Sequence, residues 1–124
     1  FSGMVAVDEA DFQHPKHDGE AMKVWLQFYL WSCEARRDWQ RDGLFADAKQ
    51  LADALEIKIK DFLFPVFVAI AGTSASFSVV DSMELLGPDL SRARLRHAIE
   101  VLGGVSKKQT KKLEKEWAAI VPAN

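Results

Sequence analysis

Asp61-Phe62-Leu63-Phe64-Pro65-Val66-Phe67-Val68-Ala69-Ile70-Ala71, followed by Gly72, is the stretch on which the fold class turns. Val66, Phe67, Val68 and Ile70 suit a buried strand, and propensity alone does not separate strand from helix over so short an apolar run. The rest of the chain decides. No second segment offers a partner strand, and a solitary strand has nothing to pair with. Pro65 fits the first turn of a helix, and Gly72 stands where a left-handed stop is expected. The spacing therefore predicts a short buried helix over 61–71.

Working outward, the segment before it is helical by periodicity. Leu44, Phe45, Ala48, Leu51, Ala52 and Leu55 recur on one face, with Asp42, Asp47, Lys49 and Asp53 outside the stripe, for a helix from Gln40 or Asp42 to Leu55 or Glu56. From Glu20 to about Asp38 apolar residues occupy almost the whole circumference, so that helix is expected to be largely buried. Residues 4–19 are polar and turn-rich and read as a loosely attached arm, within an N-terminal segment 1–19. Phe1-Ser2-Gly3 ahead of Met4 has the look of a cloning remnant and is set aside.

Downstream, Thr73 to Ser78 is a hydroxyl-rich loop, and Ser76 or Ser78 is expected to cap a helix ending at Leu86-Gly87-Pro88. Asp89 or Ser91 is expected to cap the next, which stops at Gly103-Gly104. Ser106 starts a last helix bearing Leu113, Trp117 and Ile120. The expected architecture is all-α: a compact bundle of about six helices over 20–124, with a basic C-terminal helix.

A chain of 124 residues with 48% hydrophobic and 27% charged residues makes one domain with a core that needs no metal or disulfide. A single cysteine, Cys33, rules out an internal disulfide and points to a reducing cytoplasm. The longest apolar run, Phe62 to Ala71, is about half the length that a membrane span needs, so no membrane association is expected. The formal charge of −2 conceals a division. Up to residue 90 there are 8 Lys/Arg against 15 Asp/Glu, whereas from Ser91 onward there are 8 against 3. A basic end of this kind fits nucleic acid or an acidic partner.

The order of these elements carries a resemblance. Trp39 and Leu55-Glu56-Ile57-Lys58 fall where bacterial glutamyl-tRNA synthetases have Trp-Thr and Leu-Gly-Ile-Lys. Phe64 to Gly72 lies over the family's Gln-Pro-Leu-Arg-Val-Ala-Leu-Thr-Gly. Leu85-Leu86-Gly87 reproduces a Leu-Leu-Gly, and Ala93-Arg94-Leu95 the terminal Ala-Arg-Leu. Between Trp39 and Leu102 the chain thus resembles the end of the anticodon-binding region of those enzymes. The resemblance implies a non-catalytic tRNA-binding domain, with tRNA as partner and with a synthetase catalytic domain or a homologous copy as further partners. No His-x-Gly-His or Lys-Met-Ser-Lys-Ser element is present, so neither an ATP site nor any cofactor is expected, and the chain is not expected to be an enzyme.

The reading tip departs from the family. Phe67 replaces the arginine that helps to read the anticodon, removing a planar two-pronged donor. The family's proline-containing loop is here Ser76-Phe77-Ser78-Val79, in which Phe77 offers a base-stacking ring worth about 1–3 kcal/mol. Arg92 with Arg96, and Lys107 with Lys111 and Lys108 with Lys112, share faces at i,i+4 and suit phosphate contacts. The residues implied to meet RNA are therefore Phe67, Ser76, Phe77, Ser78, Arg92, Arg96, Lys107, Lys108, Lys111 and Lys112. Because Phe67 and Phe77 with the N-terminal aromatics also suit a docking surface, a protein-interaction module is the alternative.

Other chemistry-bearing residues favour structural roles. His14-Pro15-Lys16-His17 places two histidines three apart, but Pro15 disrupts a helical face and no third ligand is near, so no metal site is expected. Cys33 lies in an apolar helix with no partner base and reads as packing. Ser74, Ser76 and Ser78 lack a histidine or acid partner. Trp25, Phe28, Tyr29 and Trp31 sit at helical spacings that place them in the core.

Overall fold

In the computed structural model, which describes residues 7–71 and 78–121, six α-helices follow a short 3-10 turn at Glu9–Phe12. They are α1 (Gly19–Ala35), α2 (Arg41–Ala54), α3 (Ile59–Ala71), α4 (Val79–Leu86), α5 (Pro88–Val101) and α6 (Lys107–Ile120). Among the described residues there is no strand, and the contested segment is helical.

Helix α3 begins two residues earlier than the sequence suggests, so Pro65 lies inside it rather than in its first turn. Pro65 has no N–H to give the carbonyl of Asp61, a defect that typically costs about 3 kcal/mol in a helix interior. Burial of Phe62, Val66, Val68, Ala69 and Ile70 along the same helix offsets it. Gly72 lies outside the described residues.

Helix α1 is anchored at its start by Asp18, whose carboxylate accepts from the Ala21 N–H at 2.8 Å. It ends at Ala35, short of Asp38, because Arg36 has already turned to extended backbone. Met22, Trp25, Leu26, Phe28, Tyr29, Leu30 and Cys33 are all buried, and Trp31 is half-buried. The Tyr29 hydroxyl, enclosed by this core, donates to the Leu44 carbonyl at 2.9 Å and so fixes α2 against α1.

The caps differ in detail from expectation. Helix α5 starts at Pro88, its first helical position, preceded by Gly87 at φ 87°, so neither Asp89 nor Ser91 is the cap. Ser91 is buried within the helix and donates through Oγ to the Met83 carbonyl at 3.3 Å. Ser78 occupies the cap position of α4 but makes no side-chain capping bond, and Ser76 lies outside the described residues. Ser106 does cap α6, accepting from the Gln109 N–H at 3.1 Å.

Helix α2 ends in a doubly bonded left-handed turn. The Ile57 N–H reaches the Ala52 carbonyl at 2.8 Å, the Glu56 N–H reaches Asp53 at 3.2 Å, and Glu56 takes φ 58°. Phe45, placed on the buried stripe by periodicity, is 41% exposed. It lies at the edge of the stripe, about 100° around the helix from Leu44, and looks into an open cleft instead of a wall of the core.

Helix directions follow from a few contacts. Arg92 near the start of α5 reaches Cys33 near the end of α1, while Leu102 packs against Gly19 at the start of α1, so these two helices are antiparallel. Helix α3 runs with α1: Asp61 meets His17 at one end, and Arg94 reaches the Ile70 carbonyl at the other. Helix α6 also runs along α1, with Gln109 donating to Glu20 at 3.2 Å and the Trp117 indole donating to Ser32 Oγ at 3.0 Å.

Residues 7–18 are mostly exposed but touch the bundle at a few points. Phe12 is buried, and His14 and His17 close over α3. Among the described residues no helix is long and apolar enough to cross a membrane.

Candidate nucleic-acid interface

The cations singled out in the sequence separate into two groups. The arginines of α5 are turned onto helix ends. Arg92 donates to the Cys33 carbonyl through Nε at 3.2 Å and Nη2 at 2.7 Å, with a further contact to the Arg36 carbonyl at 3.5 Å. Its guanidinium lies 5.3 Å from the centre of the Trp39 ring. Arg94 donates to the Ile70 carbonyl, closing the end of α3. Arg96 pairs with Glu34 at 3.0 Å. Arg92 and Arg94 thus supply cationic donors to carbonyls in the last turns of α1 and α3, whereas Arg96 meets a side-chain carboxylate.

The lysines of α6 behave differently. Lys107, Lys108, Lys111, Lys112 and Lys115 are all exposed, and among the described residues none of them forms an ion pair. The helix is attached by Leu113, which is buried, and by Trp117 and Ile120, which are half-buried. With Ser106 as its cap and no acidic residue in its first turn, α6 adds the positive end of its dipole to the lysines.

Of the reading-tip positions, the described ones are partly covered. Phe67 is half-buried against the core. Ser78 is half-buried at the start of α4, and Ser76 and Phe77 lie outside the described residues. Ser78 lines an open cleft of about 440 Å³ with Arg41, Asp42, Phe45 and Val80. Arg41 is occupied there by Asp81 at 3.0 Å, and Asp42 is almost fully exposed, so the cleft is no cationic site. Leu85, from the Leu-Leu-Gly motif, is 88% exposed on α4.

A cluster that sequence reasoning did not assemble joins the N-terminal segment to α3. The Lys16 N–H donates to His14 Nδ1 at 3.0 Å, which leaves His14 Nε2 to carry its proton toward Asp61 Oδ1 at 3.6 Å. His17 Nε2 lies 3.3 Å from Asp61 Oδ2, and its ring meets Trp25 edge-on at 4.7 Å. Burial pushes the Asp61 carboxyl up, but the His17 hydrogen bond and the neighbouring Lys16 and His14 outweigh it, so Asp61 titrates below its ordinary range. Both imidazoles are thereby committed to one carboxylate. Among the described residues no group of His, Cys, Asp and Glu is arranged to hold a metal ion. Asp61 stands 44 positions from His17, so no local pattern could have announced the cluster.

No nucleophile emerges from the described residues. Burial pushes the Cys33 thiol up to about 12, helped by the nearby Asp47 charge, so its thiolate is suppressed. Burial likewise raises the Tyr29 hydroxyl well above its usual value. Arg36, pinned by Asp47 at 2.8 Å, is held further into its charged form by that hydrogen bond.

An all-α domain that carries a run of exposed, unpaired lysines along its last helix is the class defined by this geometry. The chain belongs to the anticodon binding domain family, whose model matches residues 1–99. It is 72% identical over 117 residues to the glutamate–tRNA ligase of Alcanivorax borkumensis, covering 94% of this chain and 24% of that protein. Identity is 58% over 120 residues to the corresponding ligase of Marinobacter nauticus and 56% over 119 residues to that of Cellvibrio japonicus, again 24% of each. The chain thus spans about a quarter of the length of the curated relatives it matches.

Proposed function

We propose that this domain binds tRNA in the anticodon region, as the non-catalytic, C-terminal recognition part of a glutamate–tRNA ligase-type protein working in the cytoplasm. The observation that carries the reading is the set of exposed, unpaired lysines on α6, just beyond residues 1–99 that the anticodon-binding family model matches. Phosphate contacts from such a set supply affinity and orientation, while any base reading falls to other residues. Phe77 remains the candidate stacking ring, with Ser76, Ser78 and Phe67 as further candidates, whereas Arg92 and Arg96 contribute to the RNA surface only through charge left over from their contacts with α1.

Glutamate–tRNA ligase activity itself needs an ATP site and a glutamate site, and the motifs for neither occur in these 124 residues. The protein-interaction alternative loses its main support, because Trp25, Phe28 and Tyr29 are core residues and Phe67 packs against the core.

The test is a fluorescence-anisotropy titration of labelled glutamate tRNA at low salt. Binding that collapses when Lys108, Lys111 and Lys112 are changed together to Glu supports the reading. Absence of binding, or binding indifferent to those charges, refutes it.

A further inference from the structure

The lysine face also specifies which kind of RNA element it fits, an inference that rests on the tRNA reading. With Leu113 marking the inward side, a turn of 100° per residue places Lys107, Lys108, Lys111, Lys112 and Lys115 on the opposite arc, together with Ala118 and Ala119. From Lys107 to Lys115 the lysines zigzag within a band about 140° wide and about 12 Å long at 1.5 Å per residue. Glu114 edges the arc at the same 100° offset from Leu113 that Lys112 has on the other side, and Glu116 lies nearer the inward face.

What this arc lacks is as informative as what it carries. Recognition of unpaired bases relies on aromatic platforms and on side chains that match base edges. The aromatic residue of α6, Trp117, turns inward and commits its indole N–H to Ser32. The amide residue, Gln109, commits its side chain to Glu20. The outer arc holds only ammonium groups on flexible stems and two alanines. An ammonium is a compact point charge that follows phosphates without discriminating bases. The alanines present no side chain to hold a backbone away. A helix face of point charges with no base-reading group among them matches a stem, whose bases are paired and whose phosphates are regularly spaced, better than a loop, whose unpaired bases are there to be read.

We propose that the outer face of α6 grips the sugar-phosphate backbone of a base-paired RNA stem without reading its sequence. The experiment compares intact glutamate tRNA with a blunt RNA duplex that has no loop, by anisotropy across about 50–200 mM salt. The variant is K108Q/K111Q/K115Q. All three side chains are exposed and unpaired, so its thermal melt should match that of the parent.

The expected result is that both RNAs bind at low salt. In the variant the slope of log affinity against log salt should become shallower by about 2–3 for both RNAs alike, at roughly 0.9 per lost phosphate contact. A domain that binds tRNA but not the duplex overturns the proposal and leaves the tRNA reading standing, as does an unchanged slope in the variant. Polyglutamate competing as strongly as the duplex overturns it in favour of an acidic protein partner. Failure to bind any RNA removes the tRNA reading as well.

Discussion

Arg92 Nη2 donates to the Cys33 carbonyl oxygen at 2.7 Å while Nε reaches the same oxygen at 3.2 Å, so a guanidinium on α5 terminates α1. The residues lie 59 positions apart, and the contact is backed by the Trp39 ring beneath the guanidinium. Trp39 is itself tied down, its indole donating to the Met83 carbonyl at 2.8 Å. Three helices therefore converge on one arginine. Arg92→Ala should lower stability by about 2–3 kcal/mol, the range for charge-assisted bonds lost from a partly buried site. Arg92→Lys should recover only part of that, because an ammonium lacks the fork. Urea unfolding checks both, and an Arg92→Ala midpoint equal to that of the parent would show the contact to be incidental.

Glu56 sits at φ 58°, in the left-handed position that closes α2, where the glutamyl-tRNA synthetase pattern has glycine. A side chain there carries a penalty of about 1–2 kcal/mol that glycine avoids. Glu56→Gly should therefore stabilise the domain, by somewhat less than that range because glycine also loosens the unfolded chain. A thermal melt with a raised midpoint is expected, and a lowered one would mean that Glu56 makes a compensating contact.

Asp61 gives the domain an acid-sensitive fastening. Its folded-state pKa is below the unfolded value, so its contribution is present above the ordinary carboxylate range, near pH 4, and is lost as pH falls through the folded value. Asp61→Asn should reduce stability at neutral pH and flatten the decline over the acid interval below about pH 4. Denaturant midpoints measured across that interval decide it: parallel acid limbs for parent and variant would remove Asp61 from the account.

Much of the architecture was legible in the sequence because it depends on local patterns. The stripe through Leu44, Ala48, Leu51 and Ala52, the Ser106 cap and the Gly103 stop each announce themselves within a few residues. Even Asp61 to Ala71, ambiguous by propensity, resolved once no partner strand could be found. What stayed hidden depends on distant partners. Nothing near Arg92 or Arg94 indicates that they face carbonyls on α1 and α3, so in sequence they look like free surface charge. The same holds for His14 and His17, whose carboxylate lies on another helix. Phe45 failed for a different reason: helical periodicity gives its direction but not whether a neighbouring helix fills the space it faces.

The central claim is that RNA meets the outward lysines of α6. Amide chemical-shift mapping of the domain during a titration with glutamate tRNA tests it most directly. Residues 107–115 should show the largest changes, while the acidic neighbourhood of Arg41 formed by Asp42, Asp81 and Glu84 stays still. Changes centred on that neighbourhood, or none on α6 at saturating tRNA, would contradict the account.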